Sequence, residues 1–381
     1  MSHTAHTTGR ATSLTGTFPL PLFSRTPCPG PAEAPEQGNT PRPPLVGIAR
    51  LAAAAPREAA KNEVEYFRLR VRTVLNRVDS RRVGFGWSIN PYRGCEFGCQ
   101  YCYARYTHTY MELDPTQFEN KIYVKAEAAR ILRRDLTPEK VLGEHIAIGA
   151  ATDPYQPAER QFGVTRAILE TLLEFSRTLP SGGLSLSITT KSNLVLRDLD
   201  LLRELAGCSQ LQINVSVGTL NARLARALEP RAPRPDLRLE TVRQLAQAGI
   251  TTGVFAMPIL PGLTDKPAEL EALVAAAADA HAHYLCAGVA FLMHSSQKTF
   301  FPFLEQKFPR LVKQYHTWYR RNGYAPQSYR KEISALMTGL RRKYHLPSRP
   351  PDGGVRSTQD ATATLPNYSA LSAQLAIPFA S

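Results

Sequence analysis

The sequence predicts an α/β protein built as a partial (β/α)6 TIM-like barrel with disordered N- and C-terminal arms. Three observations carry this. Six short runs rich in β-branched residues recur through the middle of the chain. Segments with apolar residues at three- and four-residue spacing alternate with them, and strand–helix alternation implies parallel strands with helices packed outside. Both ends differ in composition: residues 1–60 hold ten of the thirty prolines with many Ala, Thr and Gly, and the stretch from Leu346 onward has the same character.

In chain order the expected parts are a Pro/Ala-rich arm over 1–60, the barrel over 61–295, a basic aromatic-rich helical extension over 296–345 and a tail over 346–381. Within the barrel the strands are expected at 83–90 (VGFGWSIN), 145–150 (HIAIGA), 184–190 (LSLSITT), 211–217 (LQINVSV), 250–258 (ITTGVFAMP) and 284–292 (YLCAGVAFL). Helical periodicity covers 164–179, 220–228, 237–248 and 268–282. Six units make an open barrel rather than a closed eightfold one. Chemistry in such folds gathers where the βα loops converge, at the C-terminal ends of the strands.

Charge narrows the partner. The 381 residues carry 46 Lys+Arg against 32 Asp+Glu, a net +14 that favours a polyanion. Most of the excess lies in residues 307–345, with ten basic residues and one acid, Glu332. The same segment holds Phe308, Tyr315, Trp318, Tyr319, Tyr324, Tyr329 and Tyr344. Exposed, such residues would neutralise phosphates and stack on unpaired bases of DNA or RNA. Turned inward, they would belong to amphipathic helices that close the open barrel. No apolar run approaches the ~20 residues of a membrane span, and the N-terminus lacks a compact apolar signal core. Six cysteines are too sparse for a disulfide scaffold, so a reducing cytoplasm is the expected setting.

Three of those cysteines fall in the loop after the first strand, Asn90-Pro-Tyr-Arg-Gly-Cys95-Glu-Phe-Gly-Cys99-Gln-Tyr-Cys102-Tyr. Gly94 and Gly98 let the backbone curl so that three thiolates converge on a soft metal centre. Structural zinc normally takes four protein ligands, and His108 is the available fourth. A four-iron cluster held by three cysteines instead leaves one iron open. A chance grouping of core cysteines, or a disulfide with a spare thiol, are the bland alternatives.

The run CEFGCQYC, with an aromatic before the third cysteine, resembles the cluster motif of the radical S-adenosylmethionine (SAM) superfamily. Tyr92-Arg-Gly-Cys, Tyr101-Cys-Tyr-Ala104, Thr152-Asp-Pro-Tyr-Gln-Pro-Ala-Glu159, Thr190-Lys-Ser192 and Leu228-Glu-Pro-Arg231 resemble its spore photoproduct lyase-like group, many members of which are labelled DNA-repair-like. This implies that Cys95, Cys99 and Cys102 ligate a [4Fe–4S] cluster whose open iron binds SAM. It also implies that an external electron donor of flavodoxin or ferredoxin type reduces the cluster, and that SAM is cleaved to a 5′-deoxyadenosyl radical.

The remaining site residues stand at strand ends. Thr152 and Asp153 suit the SAM amino or ribose groups, or equally a helix cap or Asp-Pro turn. Lys191 suits the SAM carboxylate, or is a solvated cap. Ser216 hydrogen-bonds SAM or backbone. Leu260 lies in Pro258-Ile-Leu-Pro-Gly262, a degraded form of the superfamily's adenine-contacting segment. Tyr101 and Tyr103 are hydrogen-atom relays or packing residues. One departure stands out: photoproduct lyase carries a donor cysteine just before the segment matching Thr152-Asp153, whereas this chain reads Gly149-Ala-Ala-Thr152. Two other functions remain open from sequence: a nucleic-acid-binding protein with a structural or sensing metal, and a radical SAM maturase of a protein or RNA.

Overall fold

A computed structural model of the chain describes residues 44–79, 84–179 and 183–350. In chain order the strands are β1 (Arg57–Lys61), β2 (Val64–Arg68), β3 (Leu75–Arg77), β4 (Trp87–Ile89), β5 (Tyr92–Arg93), β6 (Lys121–Val124), β7 (His145–Ile148), β8 (Ser185–Thr190), β9 (Gln210–Ser216), β10 (Thr251–Ile259) and β11 (Tyr284–Val289). Six of them, β4 and β7 to β11, are the expected barrel strands. They pair in parallel in the order β11-β10-β9-β8-β7-β4, and β3 adds an antiparallel edge beside β4. Ile89, Ile146, Leu186, Ile188, Ile213, Val215, Val254 and Ala256 are fully buried. Strands buried on both faces read as β-branched runs, which is why the sequence betrays them.

Helices Val164–Ser176, Leu199–Cys208, Ala222–Leu228, Pro235–Gln247 and Pro267–Asp279 fill the crossovers. The first buries Ile168, Leu169, Leu172 and Leu173 on one face. Pro235 and Pro267 each sit in the first turn, where the missing N–H costs nothing.

A second sheet, β1-β2-β6-β5, has no counterpart in the expected organisation. Its strands are short, and the outer one, Arg-Glu-Ala-Ala-Lys, is almost wholly exposed and poor in β-formers. Order therefore begins well before residue 61: Gly47–Ala53 is helical and β1 starts at Arg57. Residues 1–43, the rest of the expected arm, lie outside the described residues. The expected tail is likewise shortened. Leu346 is buried and the Pro347 carbonyl accepts the Leu285 N–H at 2.9 Å, capping the open edge of β11; residues 351–381 lie outside the described residues.

The extension folds as helices His294–Lys307, Val312–Tyr319 and Gln327–Lys343. Its aromatics face inward. Tyr315 and Tyr319 are fully buried and stack at 5.3 Å, Trp318 packs on Tyr329 at 5.0 Å, and the Tyr315 hydroxyl donates to the Pro261 carbonyl. Stacking of Tyr315 and Tyr319 on bases is thus excluded, because the barrel flank already takes them, while Trp318 and Tyr329 are half-buried. The charges go outward: Lys307, Arg310, Lys313, Arg320, Arg321, Lys331 and Arg342 are exposed.

Candidate functional site

The cysteine loop leaves β5 at the C-terminal end of the barrel sheet. Gly94 turns it with φ +87°, and a Cβ there would lie 2.6 Å from the Lys121 carbonyl oxygen and 2.8 Å from that of Phe118. The loop is then fastened along its length. The Cys95 N–H donates to the Phe118 carbonyl (3.1 Å), the Gln100 N–H to the Leu228 carbonyl (2.9 Å) and the Cys102 N–H to the Cys99 carbonyl (3.2 Å). Arg105, wholly buried, donates to the Cys99 and Pro115 carbonyls and pairs with Glu119 at 2.6 Å.

Cys95 and Cys99 are buried and Cys102 half-buried. Burial pushes all three thiols up, Cys99 to about 12, and each of them feels at least one other thiol or the charges beside it. Lys191 opposes the shift at Cys99 and Cys102. Three soft donors in a dry pocket with cations close by suit an anionic iron–sulfur assembly, whose ligands are spread over separate irons. His108 does not join them. Its Nε2 meets the Lys121 carbonyl at 3.1 Å and its ring packs edge-on against Phe118 and Tyr123. Among the described residues no three His, Cys, Asp or Glu side chains are drawn together tightly enough for one metal ion.

The segment after β7 braces the loop. Thr152 Oγ1 donates to the Gly94 carbonyl (2.6 Å), Gln156 Nε2 donates to the same carbonyl (3.1 Å), and Gln156 Oε1 accepts the Glu96 N–H (2.9 Å). Both peptide neighbours of Cys95 are thereby held by one amide side chain. Asp153 ties strand ends together, accepting from Thr190 Oγ1 (2.6 Å), the Lys191 N–H (2.7 Å) and the Tyr155 N–H (2.9 Å). Burial raises its carboxyl in spite of those bonds.

On the far side of the loop Glu229 gathers three partners. Tyr101 donates its hydroxyl to Oε1, Arg238 pairs with Oε2 at 2.5 Å, and Lys191 Nζ stands 4.0 Å from Oε1. Burial alone would raise this carboxyl, but Arg238 and Lys191 hold it below its ordinary value, so it is ionised. Burial, reinforced by Glu229, keeps Tyr101 neutral. Arg238 also donates to the Ser216 carbonyl at 3.1 Å, which places buried Ser216 at the rim of the same cluster. Leu260 is fully buried and lines a narrow pocket with Tyr101, Glu229, Gly218 and Thr264. Tyr103 stands apart, 44% exposed, donating its hydroxyl to the Ala150 carbonyl.

The structure therefore gathers Cys95, Cys99, Cys102, Thr152, Asp153, Lys191, Ser216, Tyr101 and Leu260 at one end of the barrel. Arg105 and Arg238 carry no signal among the motifs, and Gln156 and Glu229 lie within motifs that assign them no role. Gln156 had a signal in its spacing of four from Thr152; Arg238 had none, being one arginine among many in a helix. Cys208 ends a helix that leads into β9, and Cys286 sits early in β11 bonded to the Ser348 carbonyl, so neither thiol reaches the mouth.

A half-open parallel barrel with a buried three-thiol loop at its C-terminal end defines an enzyme that works through a bound metal cluster. The family model of the radical SAM superfamily matches residues 89–274. Among relatives, the uncharacterized protein Rv2578c of Mycobacterium tuberculosis is 32% identical over 305 residues, covering 79% of this chain and 88% of its own length. The uncharacterized protein MJ0683 of Methanocaldococcus jannaschii is 28% identical over 204 residues, covering 54% and 71%. Among solved structures, spore photoproduct lyase complexed with dinucleoside spore photoproduct superposes with a TM-score of 0.54 at 17% identity, covering 79% of this chain and 84% of that one; the likeness is one of fold. The chain belongs to the radical SAM superfamily. It is a radical SAM enzyme, with a [4Fe–4S] cluster and SAM as its cofactors. When bound, these supply reductive cleavage of SAM to a carbon radical.

Proposed function

We propose that this radical SAM enzyme acts on nucleic acid. In this reading Cys95, Cys99 and Cys102 hold the cluster, and Lys191, Ser216, Thr152, Asp153 and Leu260 form the SAM side of the mouth. The observation that carries the substrate reading is the position of the basic helices. Phe300, Leu304, Tyr315 and Tyr319 share one buried cluster with Cys95 and Cys99, so the helices that carry the outward-facing Lys307, Arg310, Lys313, Arg320 and Arg321 pack on the cysteine-loop side of the barrel. Phosphates are the natural counterions for such a rim. The fold likeness to a lyase solved with a dinucleoside lesion agrees with it.

The chemistry differs from a photoproduct lyase in its hydrogen donor. No thiol stands at Gly149–Thr152; the Tyr103 hydroxyl, bonded at Ala150, occupies that neighbourhood and is the donor in this proposal. Tyr101 is less suited to exchange with substrate, being buried and held by Glu229. For the electron donor, Gln100 opens onto a cleft of about 440 Å3 lined also by Thr299, Pro302, Phe303 and Gln306, with exposed Lys298 and Lys307 on the same helix. A small acidic redox protein of flavodoxin or ferredoxin type suits that face, in the cytoplasm. No helix among the described residues is long and apolar enough to cross a membrane.

The decisive test is SAM cleavage by the anaerobically reconstituted enzyme with dithionite, in the presence of DNA, RNA or neither. Turnover that rises with one nucleic acid, with hydrogen transferred to 5′-deoxyadenosine from it, supports the reading. Equal turnover in all three arms overturns it.

A further inference from the structure

Two cations at the mouth take no part in the arrangement around the thiols. Lys125, immediately after β6, is only 4% exposed, and its ammonium donates to the Asn90 carbonyl at 2.7 Å. Arg93 lies on the neighbouring strand β5, and its Nε is buried with no hydrogen-bond partner among the described residues. Burial, and then the Arg93 charge, pull Lys125 down to about 7. Among the described residues no carboxylate bonds either side chain. The cysteine loop, in contrast, has its own cations, with Lys191 and Arg238 acting on Cys99, and Arg105 and Lys191 on Cys102.

The position of the pair is informative. Asn90 directly follows β4, and while its carbonyl holds Lys125 its side-chain oxygen accepts the Ala151 N–H at 2.7 Å. The ammonium thus stands at the end of the β4–β7 pair, and the Ala150 carbonyl, which precedes that Ala151 N–H in the chain, takes the Tyr103 hydroxyl. Tyr103 presents a half-exposed ring and stacks on Tyr106 at 6.5 Å and 23°. A buried ammonium held by a single neutral carbonyl, on the strand next to a guanidinium whose Nε is unpartnered, is unfavourable, and a bound oxyanion is what completes such a pair with charge-assisted hydrogen bonds. An aromatic face beside paired cations is the combination that binds a nucleotide.

We propose that Arg93 and Lys125 form an oxyanion site that takes a phosphate group of the substrate, with Tyr103 against the adjoining base or sugar. The inference rests on the nucleic-acid reading for the identity of that substrate, and it moves the aromatic contact from the C-terminal helices to the mouth itself.

The test uses the full-length reconstituted enzyme with SAM. A phosphate-linked thymidine dinucleotide, its uncharged methylphosphonate analogue and inorganic phosphate are titrated into the wild type and Lys125→Met. The wild type is expected to bind the phosphate-linked dinucleotide about tenfold more tightly than the analogue, with inorganic phosphate competing. Lys125→Met should lose that preference, keep its affinity for SAM and, freed of an unbalanced buried charge, unfold at higher temperature. Equal affinity of the wild type for the two dinucleotides overturns the proposal. So does a loss of SAM affinity in Lys125→Met, which would assign the pair to the SAM carboxylate. Reduced stability with phosphate preference intact would make Lys125 a prop for Asn90 and also overturn it. If Lys125-dependent phosphate binding is found while no nucleic acid raises SAM cleavage, the oxyanion site stands and the nucleic-acid reading falls.

Discussion

Glu229 is the residue on which the buried electrostatics of the mouth depend, since it answers Arg238 at 2.5 Å and Lys191 at 4.0 Å while accepting from Tyr101. Breaking a buried pair from one side costs more than removing both members. Glu229→Gln is therefore expected to lose about 3–5 kcal/mol of stability in urea unfolding, and the double variant Glu229→Gln with Arg238→Met to recover a good part of it. A single variant as stable as the wild type would contradict this network. For Tyr103 the expected signature is chemical rather than structural. Tyr103→Phe removes one exposed hydroxyl, so SAM binding should persist while hydrogen return to the substrate fails, read as SAM cleavage uncoupled from product. Product formation at the wild-type rate would remove Tyr103 as the donor.

At the scale of elements, the two glycines of the cysteine loop separate cleanly. Both have positive φ, +87° at Gly94 and +62° at Gly98, but only at Gly94 would a Cβ collide with backbone; at Gly98 it would meet the Glu119 side chain at an ordinary 3.6 Å. Gly98→Ala should cost about 1–2 kcal/mol, the usual left-handed penalty, and still take up iron. Gly94→Ala should displace Cys95 and abolish the cluster's absorbance after reconstitution. Strand pairing carries a pH dependence of its own. His145 on β7 meets Ser185 and Ser187 of β8 at 2.8 Å through its two ring nitrogens, and burial lowers it to about 4. The unfolded chain, with an ordinary value near 6.5, binds the extra proton first. Stability should thus be flat above pH 6.5 with respect to this group and fall between pH 6.5 and 4, by up to about 3 kcal/mol. Replacing His145 with Asn should flatten that part of the urea-midpoint profile.

For the whole molecule, the opening charge of +14 acquires a location. Helices that bury their aromatics against the barrel must turn their Lys and Arg to solvent, so one packing decision both closes the barrel's open flank and builds a basic rim. Binding of a single-stranded oligonucleotide should weaken linearly in log–log form with salt, by about 0.7 per phosphate neutralised. Arg320→Ala with Arg321→Ala should reduce that slope by about one to two without changing SAM cleavage in the absence of nucleic acid. An unchanged slope would place the nucleic acid elsewhere.

Much of this was legible in the chain. Buried parallel strands announce themselves as β-branched runs, and three cysteines between glycines announce a cluster, because both signals are local in sequence. The sequence by itself determined the six-stranded barrel, the cofactor chemistry and the residues that carry the thiols. Tertiary structure decided the rest. An exposed strand such as Arg57–Lys61 leaves no periodic trace. Whether Tyr315 or Tyr319 faces a base or a core depends on what packs against it. Gln156 beside Gly94 and Lys125 beside Arg93 are meetings of residues 62 and 32 positions apart, and Arg238 reaches Glu229 across the turn between two helices. Charge balance in a buried site is a sum over such meetings, and only the folded chain performs it.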